Sequence, residues 1–97
     1  MTFEIDTTPN ATLRAASGAI SAAVDDELMI FVIDSSRYIG LRGAAIRTWA
    51  LLEEGTHNAE QIVAILAAEF DADATTIRRD LAVTLADLDA FNLVQRG

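Results

Sequence analysis

The side chains able to do chemistry are sparse in this sequence, and their spacing assembles no reactive site. His57 is the only histidine, and cysteine is absent. A metal or nucleophile site needs partners for that histidine, so His57 reads as an exposed residue in a turn between two helices. Asp25-Asp26 and Glu53-Glu54 have the look of acid/base pairs, but both adjoin turns, where carboxylates are normally just solvated. "DADATT" (71–76) has alternating acids without the glycine or distal glutamate of a calcium loop. There is no glycine-rich phosphate loop, and the few serines have one distant histidine between them, which makes no triad. The expectation is a protein that is not an enzyme on its own, with no cofactor and no metal.

What the chain does encode is a set of elements that could present a surface. "LMIFVI" (28–33) is the strongest strand, six apolar residues of which three are β-branched, and reads as a central strand. "AISAAV" (19–24) precedes it across an Asp25-Asp26-Glu27 turn, and "YIGL" (38–41) follows the turn Asp34-Ser35-Ser36-Arg37. The last of these strands is then the edge of a meander. An open edge is a liability in a soluble protein unless something pairs with it. Alternation puts Tyr38 and Gly40 on one face, Ile39 and Leu41 on the other, and leaves open which pair faces the core.

Three helices follow. The first spans 43–55, with Ile46, Trp49 and Ala50 at helical spacing, Trp49 in the core, and Gly55 at a left-handed C-terminal position. The second spans 58–70; Asn58 and Gln61 form a capping box, and Ile62, Ile65, Leu66 and Phe70 its buried stripe. Asp71 to Asp73 break it. Asp73 caps the third helix, 74–91, whose buried stripe is Ile77, Leu81, Leu85 (or Thr84) and Leu88. Leu93-Val94 docks the tail. Residues 1–12 read as a loose arm with an extended piece at Phe3-Glu4-Ile5, and 13–97 as one domain. Strands segregated before helices give an α+β fold, a three-stranded antiparallel β-meander followed by three helices, winged helix-turn-helix-like.

Charge narrows the partners. Fifteen acidic residues stand against seven arginines and no lysine, a net charge of −8. Such a chain repels phosphate backbones, and the third helix offers Arg78 and Arg79 against Asp80, Asp87 and Asp89, a poor recognition helix. A winged-helix DNA-binding regulator is therefore the alternative rather than the leading reading, and no nucleic acid is expected. No apolar run has membrane-spanning length, so no membrane is expected either, and the lack of cysteine is compatible with a cytoplasmic location. On the third helix a milder second stripe, Arg79, Val83, Ala86 and Ala90, has side chains small enough for another backbone to approach, with Arg79 to receive a carboxylate.

The stretch "DELMIFVIDSSRYIGLRGAAIRTWALLEEG" resembles the core of PqqD-like proteins, the recognition elements of ribosomally synthesised and modified peptide (RiPP) pathways. The matching positions are Asp34, Tyr38, Leu41, Gly43, Ile46, Trp49, Leu51, Leu52 and Gly55, then Thr56, Ile62, Leu66 and Phe70, then "LAVTLADLDAFNLV". Asn92 stands where glycine is usual, and Arg42 where asparagine often follows the leucine. The resemblance implies a binding module: the leader of a precursor peptide adds a strand to the third strand and packs on the third helix, and a partner enzyme modifies the tethered peptide. The stand-alone size is similar to B1-type proteins of lasso-peptide pathways, which partner a leader peptidase, and next to PqqD of pyrroloquinoline quinone (PQQ) biosynthesis, which partners a radical enzyme. On this reading Arg37, Tyr38, Ile39, Gly40 and Leu41 pair with the leader, and Arg79, Val83, Ala86 and Ala90 line the facing groove. Proline at Ile39 would block pairing if the donor of Ile39 points outward. A free edge would also permit a homodimer paired through the sheet edge. A structural adaptor that binds only protein is the third reading.

Overall fold

A computed structural model describes residues 12–96 of the chain. The order of elements is β1 (Thr12–Ala15), β2 (Ala19–Val24), β3 (Glu27–Val32), β4 (Arg37–Arg42), α1 (Ala44–Glu54), β5 (His57–Asn58), α2 (Ala59–Glu69), α3 (Ala74–Ala90) and β6 (Val94–Arg96). The meander is as expected: β2, β3 and β4 form an antiparallel sheet in sequence order. Its apolar central strand puts Ile30 wholly inside, between Ser21 on β2 and Ile39 on β4.

Alternation along β3 and β4 is resolved by burial. Leu41 is buried and Ile39 partly so, against the helices, while Tyr38 stands 67% exposed on the opposite face. The helices cover only the Ile39/Leu41 side. Trp49, Leu51 and Leu52 of α1, Ile62, Val63 and Leu66 of α2, and Ile77, Leu81, Leu85 and Leu88 of α3 fill one core. Burying such side chains stabilises by about 1.5–3 kcal/mol each, which is what holds a domain of this size.

The helix ends follow local chemistry. Asn58 accepts from Gln61 N–H and Gln61 Oε1 accepts from Asn58 N–H, both at 2.8 Å, closing the capping box. Gly55 ends α1 at φ 69°, a left-handed conformation in which a side chain would be strained. Asp73 occupies the N-cap of α3 but makes no side-chain capping bond. Phe70, expected in the buried stripe of α2, is 46% exposed. The helix stops at Glu69, and Phe70 is its C-cap, off the helical wheel that carries Ile62 and Leu66 inward.

A second, three-stranded sheet was not anticipated. β1 lies between β5 and β6, pairing Leu13 with His57 and with Arg96. His57 therefore sits in a strand and not in an exposed turn, with its side chain 19% exposed and Nε2 4.0 Å from Glu54. Leu93 and Val94 are buried, and Ala16 N–H donates to Leu93 O at 2.8 Å, so the tail docks by main-chain pairing as well as by apolar contact. Thr12, assigned to the arm, begins β1 and pairs with Asn58. The rest of that arm, with Phe3-Glu4-Ile5, lies outside the described residues.

Candidate functional site

The meander has two edges with no strand partner among the described residues, β2 and β4. They differ in what flanks them. Two cavities of about 200 and 210 Å³ open beside the two ends of β4, and no residue of β2 lines either one. The first is floored by Ala44, Ala45, Leu66, Ile77 and Leu81, and rimmed by Arg42, Thr48, Asp80 and Thr84. The second is bounded by Gly18, Val32, Asp34, Arg37, Ala90 and Phe91. Each borders one end of β4 and part of the α3 region; the first has apolar walls with a few polar groups, the usual make-up of a side-chain pocket, and the second is more polar, with Ser17, Asp34, Ser35, Arg37 and Asn92 in its lining.

The direction of the main chain at this edge follows from one bond. Ile33 N–H donates to Gly18 O at 3.1 Å, toward the β2 side. In an antiparallel ladder alternate residues point their main-chain groups to opposite neighbours. Leu28, Ile30 and Val32 thus point toward β4, where they face Leu41, Ile39 and Arg37. Those three residues of β4 are committed to β3. Tyr38, Gly40 and Arg42 aim their N–H and C=O groups outward, at the open edge. The donor of Ile39 points inward, so proline at Ile39 would break the internal ladder and is the wrong probe of this edge.

Side chains at the edge are tied back at both ends. Arg42 donates to Glu27 Oε2 at 3.2 Å on the outer face, across the β3–β4 pair. Arg37 lies over the Phe91 ring, 4.4 Å from its centroid, and so links β4 to the C-cap of α3. Between them Gly40 leaves room for its neighbours: a Cβ there would come within 2.6 Å of Glu27 Oε1 and 3.3 Å of Met29 sulfur. Its backbone is in a strand conformation, so the glycine serves close side-chain approach and not an unusual φ.

The sequence-derived residues divide on this geometry. Arg37 to Leu41 form the edge strand, and Ala90 lines the second cavity. Arg79 and Val83 project on the exposed face of α3, and Ala86 packs partly on the core. At 100° per residue Arg79 and Val83 lie opposite the buried stripe of Ile77, Leu81, Leu85 and Leu88, and neither lines a cavity. Besides Ile77, Leu81 and Ala90, the side chains of the α3 region that line the cavities are Asp80, Thr84 and the C-cap residue Phe91. Their signal in the sequence is a stripe at spacings of four and seven, about 60–80° round the wheel from the apolar one. Choosing it required knowing on which side of α3 the sheet lies. The other side of α3 faces α2, where Arg78 donates to both carboxylate oxygens of Glu60 at 3.2 and 2.9 Å. That hydrogen bond holds the Glu60 carboxyl below its ordinary value and raises the Arg78 guanidinium.

Among the described residues no cluster of three or more histidine or acidic side chains could hold a metal ion, and no helix is long and apolar enough to cross a membrane. An open strand with outward main-chain groups between two pockets is a geometry that can accept an extended peptide as a further strand. The family model for coenzyme PQQ synthesis protein D (PqqD) matches residues 27–94, and the chain belongs to this family. Similar solved structures include TbiB1 in complex with the TbiA(beta) leader peptide, 34% identical at a TM-score of 0.75, with 84% of this chain and 94% of that one covered. A lasso peptide synthetase B1 complexed with the leader peptide shares the fold at 20% identity and a TM-score of 0.73, over 86% of this chain and 96% of that one. So does the PqqD truncation of Methylobacterium extorquens PqqCD, a stand-alone RiPP recognition element, at 21% identity and a TM-score of 0.76 over 97% of both chains. A comparison with curated proteins gives no match. None of these relatives supports the DNA-binding alternative.

Proposed function

We propose that this chain is a non-catalytic recognition element that binds the leader segment of a ribosomally synthesised precursor peptide by strand addition at β4 and delivers it to a separate modifying enzyme or leader peptidase. The observation that carries the reading is the β4 edge itself, with the main-chain groups of Tyr38, Gly40 and Arg42 directed outward between two pockets. The leader's main chain continues the sheet, and alternate leader side chains turn inward toward α3. One enters the pocket floored by Ala45, Ile77 and Leu81, which fits an aliphatic group. The other end meets Arg37, Ala90 and Phe91.

The likeness to a lasso peptide synthetase B1, alongside the 34% identity to TbiB1, each solved with a leader peptide, supports the lasso-peptide type of pathway over PQQ biosynthesis. In such a pathway the chain acts in the cytoplasm, where precursor peptides are made, and uses no cofactor. Its contribution is effective concentration: a tethered leader keeps the rest of the peptide near the enzyme. Titration with the fluorescently labelled leader of any precursor peptide encoded in its gene neighbourhood tests the reading. Saturable binding lost on Tyr38→Pro in a folded variant is expected. Absence of binding by the wild-type chain would falsify it.

A further inference from the structure

The face of the meander turned away from the helices is apolar. Register places Ile20, Phe31 and Tyr38 in one cross-strand row, Ala22, Met29 and Gly40 in the next, and Val24 beside Glu27 and Arg42 in the third. Ile20 is 58% exposed, Val24 53%, Phe31 41% and Tyr38 67%. An antiparallel sheet with one solvated face normally alternates polar residues onto it. Here that alternation fails along β2 and at Phe31 and Met29 of β3, with Tyr38 extending the row on β4, while Glu27 and Arg42 keep one end of the face charged. Exposed apolar residues that cluster contiguously, unlike single scattered ones, mark interaction sites.

The rim says what covers it. The β2–β3 turn carries Asp25 and Asp26, both exposed, and the β3–β4 turn at the other end carries exposed Asp34. The nearest cation on this face, Arg42, is already held by Glu27 at 3.2 Å. A second copy stacked on this face would set carboxylates against carboxylates at both ends, in a chain of net charge −8. The complementary surface has an apolar centre and arginine or lysine at its edge.

We infer that the outer face of the β2–β3–β4 sheet is a docking surface for a folded protein bearing an apolar patch rimmed with basic residues, and that this protein is the enzyme acting on the leader-bound peptide. The face lies on the opposite side of the sheet from the cavities beside α3, so enzyme and leader occupy the chain together. The identity of the partner rests on the leader-binding reading; the surface does not.

The test uses the full chain and the purified peptidase or modifying enzyme encoded beside its gene. Ile20→Thr, Val24→Thr and Phe31→Thr are combined, since threonine suits a strand and none of the three lines the leader pockets. The combined variant is expected to bind the enzyme about tenfold or more weakly, with leader affinity unchanged. Reversing the rim with Asp25→Lys and Asp26→Lys, which leaves the apolar residues intact, is expected to weaken binding as well, and wild-type affinity is expected to fall as salt screens the rim. Equal enzyme binding by wild type and both variants overturns the proposal. So does no enzyme binding by the wild type, or a wild-type dimer in sedimentation that the threonine variant dissolves. Face-dependent enzyme binding without any leader binding leaves the docking surface standing and removes the leader reading instead.

Discussion

The guanidinium of Arg37, at the first position of β4, lies 4.4 Å over the ring of Phe91, the residue that caps α3. These two side chains are 54 positions apart in sequence order yet close one end of the groove between strand and helix, since 91 less 37 is 54. The contact couples the position of the β4 edge to the C-terminal end of α3. In a double-mutant cycle, Arg37→Ala and Phe91→Ala are expected to show a stability coupling of about 0.5–1 kcal/mol by thermal denaturation. A coupling of zero would mean that the stack holds nothing in place. Both substitutions are expected to weaken leader binding, because each also removes a wall of the second cavity.

Proline placement reads the direction of the edge. Tyr38→Pro removes an outward donor from an edge strand, a site where proline is tolerated in the fold. It is expected to leave the melting temperature near wild type and to abolish leader binding. Ile39→Pro removes a ladder bond to Ile30 and is expected to lower the melting temperature instead. The reverse pattern in a thermal melt paired with a leader titration would shift the register by one residue.

The first pocket makes a prediction for the two helices that line it, α1 at Ala45 and α3 at Thr84. Ala45→Leu or Thr84→Leu places extra methylenes in a cavity of about 200 Å³. Each is expected to cost at least about tenfold in leader affinity, or roughly 1.4 kcal/mol, with little loss of stability. Arg79→Ala and Val83→Ala, on the exposed face of the same helix, are expected to change affinity by less than about twofold. Isothermal titration of the four variants distinguishes the two faces of α3 as the leader's neighbour.

Acid stability carries a smaller signature. The hydrogen bond from Arg78 depresses the Glu60 carboxyl in the folded chain. A depressed folded value stabilises above the unfolded pKa, and that stability is lost as pH falls through the folded one. Glu60→Gln is therefore expected to flatten the acid limb of a melting-temperature profile and to leave the curve above pH 7 parallel to wild type. The effect is small because both side chains are largely exposed. An unchanged acid limb would show that the pair contributes nothing to the α2–α3 contact.

Helix α2 depends on its cap. Asn58→Ala removes the side-chain acceptor for Gln61 N–H and is expected to cost about 1 kcal/mol in chemical denaturation. Gln61→Ala is expected to cost less, since it leaves that acceptor in place.

Local chemistry in the sequence determined a good part of this protein. Asn58 and Gln61 start a helix by bonding to residues three apart, Gly55 ends one by its own φ, and the apolar run at β3 marks a central strand. The stripe from Ile77 to Leu88 follows from a helical period and nothing more distant. These features are settled within a few residues, which is why they can be read without a fold. The tertiary structure decided the rest because it rests on pairings far apart in the chain. Thr12–Ala15 has no strand signature and becomes one only when His57 and Val94 are brought to either side of it. Phe70 is exposed because its helix ends one residue earlier. Burial of Ile39 and Leu41 chose the face of β4, and the bond from Ile33 to Gly18 chose which of its main-chain groups are free. The small stripe of Arg79 and Val83 and the stripe of Asp80, Thr84 and Phe91 are equally good helical patterns; only the placement of the sheet decides which of them looks onto β4.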